Sequence, residues 1–227
     1  MVLLGAAVNF IAIVSGALLG RAVRLPERMR QTIMQALALA VLITGISMGL
    51  ESNNMLIPIA SLAIGSILGE LLNIEAGIAS LGEKLQGLGG RRPAGSADFT
   101  QGFLAATLTY CIGAMAVIGS LNSGLTGDHQ VLYAKSLIDG VTAIFFSASL
   151  GIGVAFSAVP VFVYQGSIAL LATVLAPCLS GPVLAELTAT GGILIIGIAL
   201  NMLGLTKLRL GNMLPAIAAA VLLALIT

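Results

Sequence analysis

Apolar residues run along this chain in blocks of about 17 to 23, separated by short polar links, and that block length dictates the architecture. Eight segments can be drawn, at about 2–20, 31–50, 55–72, 100–122, 137–156, 160–178, 187–205 and 211–227. A helix needs about 20 apolar residues to cross some 30 Å of hydrocarbon. The short alternating segments of a membrane β-barrel do not occur. The pattern therefore predicts an all-α polytopic membrane protein with seven to eight transmembrane helices, forming one transmembrane domain over residues 1–227. Proline punctuates the segments: Pro26 falls in the first link, Pro58 and Pro160 near the starts of the third and sixth spans, and Pro177 and Pro182 around the next link.

Two features break the regular alternation. The longest link, 73–99, opens with Ile74, Ile78, Leu81, Leu85 and Leu88 on one helical face and Glu75, Glu83, Lys84 and Gln86 elsewhere. This spacing predicts an amphipathic helix over 74–88, lying on the membrane surface or continuing span 3. A glycine-rich hinge follows it. The second feature is Ala155–Pro160, which joins spans 5 and 6 without a charge. It reads as a tight turn between two ordinary helices, or as part of a re-entrant hairpin in which Gly151 and Gly153 break a helix. Sliding spans 1–3 onto 4–6 aligns Gly16 with Gly113, Gly49 with Gly153 and Gln35 with Asp139, which suggests an inverted three-helix repeat followed by a C-terminal hairpin.

Composition agrees with the pattern. Apolar residues make up 58% of the chain and charged residues 8%, and the mean hydropathy is +1.10, which excludes an ordinary soluble globule. Charge then sets the orientation. Nine of the ten basic residues fall in the links between spans 1 and 2, 3 and 4, and 7 and 8; the tenth is Lys135. With eight crossings those three links share one side. The positive-inside rule makes that side cytoplasmic, placing both termini outside a bacterial inner membrane. The N-terminus lacks a basic leader and reads as a retained first span.

Candidate chemistry is sparse. No Asp, Glu, Lys or Arg occurs in the 46 residues from Gly140 to Ala185, and Asp139 stands at their head. One reading pairs it with Lys135, one helical turn earlier, near the outer interface. The other has it face a wet cavity and bind a cation or proton, with Thr142 and Ser147 supplying oxygens. Asn9 and Asn201 lie inside apolar spans, where they act as hydrogen-bonding glue or as ligands. Tyr110 with Thr107 and Thr109 gives span 4 a polar face, and Gln165 beside Tyr164 does so in span 6. Asp139, Asn9, Asn201, Thr142, Tyr110 and Gln165 form the candidate ligand- or ion-binding set. Catalytic residues, a metal site and cofactors are not expected. Cys111 and Cys178 read as free thiols, and His129 has no nucleophile placed near it by sequence. Gly16-xxx-Gly20, Gly45-xxx-Gly49 and Gly65-xxx-Gly69 suit close packing within one monomer first and a homodimer second. The basic hairpin Gly204–Asn212 suits an anionic lipid head group.

Three tracts carry a resemblance: Gly5-Ala-Ala-Val-Asn9-Phe-Ile-Ala-Ile-Val-Ser-Gly16-Ala-Leu-Leu-Gly20; Asp139-Gly-Val-Thr142-Ala-Ile with Phe156–Pro160 and Tyr164-Gln165-Gly; and Gly191–Asn201. With them the chain resembles the YdfK/YqgA-like family of uncharacterised bacterial inner-membrane proteins, domain of unknown function 554. The resemblance implies a polytopic membrane protein and carries over no substrate or catalytic residue. The expected function is a small secondary transporter or permease, cation- or proton-coupled through Asp139. Its expected partners are the lipid bilayer and a small solute, monovalent cation or proton, with no nucleic acid. A non-transporting scaffold or sensor is the alternative, and a membrane enzyme ranks last.

Overall fold

A computed structural model describes residues 1–22, 26–87, 96–112, 114–179 and 181–226. The basic residues Arg24, Arg91 and Arg92 and the glycine-rich hinge after Gly87 lie outside them. The helices are α1 (Leu4–Ala22), α2 (Glu27–Gly49), α3 (Leu56–Leu72), α4 (Ile74–Gly87), α5 (Ser96–Cys111), α6 (Ala114–Leu125), α7 (Gln130–Leu150), α8 (Gly153–Phe156), α9 (Ala158–Leu170), α10 (Ala172–Leu175) and α11 (Gly181–Met202). A 3-10 turn (Leu210–Met213) and α12 (Pro215–Ile226) complete the chain. Among the described residues there is no strand. The protein is an all-α polytopic membrane protein. Among the described residues, five stretches are long and apolar enough to cross a bilayer alone, seven if two bent pairs each count as one, and Leu210–Ile226 is a shorter apolar helix.

The bundle is apolar outside, and its largely apolar interior encloses a set of buried polar side chains. On α7, Leu137, Ile138, Val141 and Phe145 are exposed, whereas Lys135, Ser136, Asp139 and Ser147 are buried. Water would disfavour that distribution; hydrocarbon favours it, because the outer face meets lipid and polar groups find partners inside.

Small residues fix which helices meet. A Cβ added to Gly16 or Gly20 on α1 would collide with the carbonyl oxygens of Gly140 or Ile144 on α7. Gly5 faces Leu132 of the same helix, so α1 and α7 run parallel. Gly45 and Gly49 of α2 meet Ile196 and Ile193 of α11, and Gly65 and Gly69 of α3 meet Ala216 and Asn212, both pairs antiparallel. All three small-xxx-small spacings thus serve packing inside one chain, where they let backbones approach closely. Leu3, just before α1, lies beside Gly166 of α9, and Phe10 of α1 packs on Phe162 of α9, so α9 is antiparallel to α1.

Three span boundaries differ from those drawn on the sequence. The turn between spans 5 and 6 falls at Gly151–Ile152, not at 155–160. Gly151 adopts φ 83°, a left-handed conformation that ends α7 and that glycine alone takes without strain. Pro160 breaks nothing, because it sits in the first turn of α9, where no intrahelical N–H is needed. Gly153–Leu170 is 18 residues and, by length and composition, long enough to span. Span 4 is not one straight helix: Phe99–Cys111 and Met115–Leu125 are bent by 58° relative to one another. Likewise Asn73, at φ 49°, ends α3 and turns α4 away by 51°. The amphipathic segment therefore follows span 3 at an angle instead of prolonging it, with Ile74 and Ile78 half-buried.

Candidate functional site

The buried centre of the bundle gathers Lys135 and Asp139 from α7, Asn9 from α1, Gln165 from α9 and Tyr110 from α5. Asp139 lies nine residues after Gln130, which opens α7. At 1.5 Å per residue that is about 14 Å along the axis, near the middle of the 21-residue helix. The carboxylate thus stands near the midpoint of α7 and not in its first turn, because α7 starts upstream of the point at which the apolar run begins.

The Lys135 ammonium donates to both carboxylate oxygens of Asp139, at 2.9 Å to Oδ1 and 2.7 Å to Oδ2. Their one-turn spacing on a single helix makes this geometry accessible without backbone strain. Asn9 Nδ2 adds a third donor, 3.0 Å from Oδ2, and lies 3.2 Å from Gln165 Oε1. Lys135 and Asp139 are 7% and 3% exposed, and Asn9, Gln165 and Tyr110 are fully buried. An isolated carboxylate here would carry a large desolvation cost; the ammonium and the charge-assisted amide bond offset it. The ammonium also lies 5.9 Å from the centre of the Tyr110 ring, within cation–π range.

Thr142 borders the same group. Its hydroxyl bonds back to the Ile138 and Asp139 carbonyls and lies 3.4 Å from the Tyr110 hydroxyl. Within this group Asn9 Oδ1 and Gln165 Nε2, and elsewhere on α5 and α7 the Thr107, Thr109 and Ser147 hydroxyls, are buried and have no hydrogen-bond partner among the described residues. Such orphaned atoms are uncommon in finished interiors and call for a reason.

Five of the six candidate residues therefore converge: Asp139, Asn9, Gln165, Tyr110 and Thr142. Asn201 does not join them. It holds the turn after α11, with Nδ2 donating to the Leu208 carbonyl at 2.8 Å and Oδ1 accepting from Thr206 Oγ1 and the Leu208 amide.

Sequence reasoning passed over two further polar contacts. Glu186 is 2% exposed and accepts from Ser52 Oγ at 2.7 Å and from the amides of Asn53 and Asn54 at 2.8 and 3.0 Å. It ties the α2–α3 link to the start of α11, over more than 130 residues of sequence, a separation that leaves no local signal. His129 Nδ1 lies 2.5 Å from Ser123 Oγ, which is also 3.1 Å from the Val2 carbonyl. The adjacent Asp128 carboxylate accepts the Gln130 amide at 2.9 Å at the start of α7. At the other end of the bundle, Glu70 pairs with Arg209 and Asn212, while Asn212 Oδ1 accepts the Glu75 amide at 2.8 Å.

Comparison with known proteins places the chain. It is 31% identical over 221 residues to the uncharacterized protein YqgA of Escherichia coli (strain K12), covering 96% of this chain and 94% of that one. It is 30% identical over 219 residues to the uncharacterized membrane protein YdfK of Bacillus subtilis (strain 168), covering 94% and 92%. No solved structure matches it. The family profile described as "Protein of unknown function (DUF554)" matches residues 4–225, so the chain, a polytopic helical membrane protein, belongs to the DUF554 family.

Proposed function

We propose that this protein is a small secondary transporter or permease of the bacterial inner membrane. It moves a small solute or ion, cation- or proton-coupled through Asp139, and performs no covalent chemistry. The observation that carries this reading is a carboxylate midway along a spanning helix, bonded by Asn9 of α1, which in turn bonds Gln165 of α9, with the Asn9 Oδ1 and Gln165 Nε2 atoms buried and unpartnered among the described residues. Intramembrane ionisable groups that face a bundle interior are costly and mark ion or proton paths. Convergence near the midplane is where secondary transporters hold substrate and coupling ion. Ser123 and His129 act in this reading as a tie between the N-terminus and the α6–α7 link.

Eight crossings with both termini outside belong to the same proposal. Parallel α1 and α7, with antiparallel α2–α11 and α3–α12 pairs, is the alternation such a chain requires. The inverted pair of three-helix units goes with it. Reconstitution into vesicles that report internal pH, under imposed proton and alkali-cation gradients, tests the proposal. Asp139→Asn should abolish ion-coupled flux; a variant that conducts like the wild type removes Asp139 from the role.

A second reading, a non-transporting scaffold or sensor, is favoured by one observation: Lys135, Asp139, Asn9 and Gln165 satisfy much of their demand on one another. It is the surviving reading if neither ion flux nor solute flux accompanies reconstitution.

A further inference from the structure

We infer that the Lys135 ammonium occupies a monovalent cation site, and that an alkali cation and Lys135 compete for Asp139. The inference rests on the reading of Asp139 as an ion site and adds what excludes the ion and what class of ion enters.

The seat is already shaped for a single positive charge. Both carboxylate oxygens point at one nitrogen, 2.9 and 2.7 Å away, and an ammonium is a compact point charge of the kind an alkali cation can replace. One carboxylate gives a net charge of minus one, too little for a divalent ion, which gathers several carboxylates. With Lys135 in place the pair is neutral. A cation added to the occupied pair would bury an extra charge, so the two occupancies are mutually exclusive.

Lys135 can leave without moving the backbone. It sits five residues after the start of α7, about 8 Å from that end at 1.5 Å per residue, and its flexible stem can swing the ammonium toward the interface. An arginine, with its rigid fork locked on the carboxylate, would leave less readily.

The ligands for the incoming ion are present as well. Asn9 presents Nδ2 to Asp139, while its fully buried Oδ1 has no partner among the described residues. A carboxamide turned end for end would set Oδ1 toward Asp139. Two acceptors then face each other, which is unfavourable unless a cation lies between them. Asn9 therefore acts as a donor while Lys135 is bound and as an oxygen ligand while the ion is bound. Gln165, whose Nε2 is equally orphaned, can turn with it.

Thermal unfolding of the purified full chain tests this, comparing sodium or potassium chloride with N-methylglucamine chloride at equal ionic strength. Lys135→Met should gain roughly 5 °C in midpoint from the alkali cation, the shift a near-saturated site gives a chain of this size. The gain should vanish in Lys135→Met/Asp139→Asn. No cation-specific gain in Lys135→Met, or the same gain in the double variant, overturns the inference. Lys135→Arg keeps the charge and covers the case in which the methionine variant does not fold. It should need at least tenfold more cation than the wild type for half-maximal stabilisation, and an unchanged requirement also overturns it. The shift reads occupancy, not transport. A protein that moves no ion can pass this test, and a transporter coupled elsewhere can fail it.

Discussion

At the scale of residues, the buried pair sets the energetics. Removing one partner leaves an uncompensated charge in a buried site, which costs about 3–5 kcal/mol, whereas replacing both by neutral groups of similar volume is often near neutral. Asp139→Ala should therefore destabilise the protein by roughly that amount, and Lys135→Met/Asp139→Asn by about 1 kcal/mol or less. Chemical unfolding in detergent checks the contrast, which a chance proximity would not produce. Glu186→Ala strips the acceptor from a hydroxyl and two amides and should cost about 2 kcal/mol, with faster proteolysis of the 52–54 link. Asp139 and its partner Lys135 were legible in sequence because four residues separate them and almost nothing else in that stretch is charged. Asn9 and Gln165 were legible only as polar residues in apolar runs. Their mutual bond joins residues 156 apart, and no periodicity reports that.

At the scale of elements, glycine faces decide who packs on whom. Gly16→Leu or Gly20→Leu must push α1 off α7 because backbone carbonyls already fill the space. Either should cost several kcal/mol, at least the about 1–3 of ordinary overpacking. It should also part Asn9 from Asp139, which a loss of the Asn9 contribution in a double-mutant cycle would record. Apolar block length identified the spans themselves. It did not locate the turn at Gly151, because Pro160 looks like a break on sequence yet is harmless in a first helical turn. Nor did it show the 58° bend in span 4, since a bent apolar run has the composition of a straight one. Asn201 illustrates the same limit: polarity marked it, but whether it faced the centre or held the adjoining turn depended on how α11 ends.

At the scale of the whole molecule, an outer surface of exposed leucine, isoleucine and valine around a core that holds the buried charged and amide groups is the arrangement lipid selects. Alternation of helix direction through the packed pairs fits eight crossings. A C-terminal alkaline phosphatase fusion should accordingly be active in cells, and a fluorescent-protein fusion at the same end dark; the opposite outcome reverses the orientation. The central claim is that the buried polar group is reached from water and is not a dry staple. Its most direct test is the reactivity of Gln165→Cys, in a chain with Cys111 and Cys178 replaced by serine, toward a membrane-impermeant thiol reagent, with Asn53→Cys as the exposed control. Modification of position 165 from one face of the membrane, slowed by alkali cation, is the expected result; a thiol inert from both faces while position 53 reacts would contradict it.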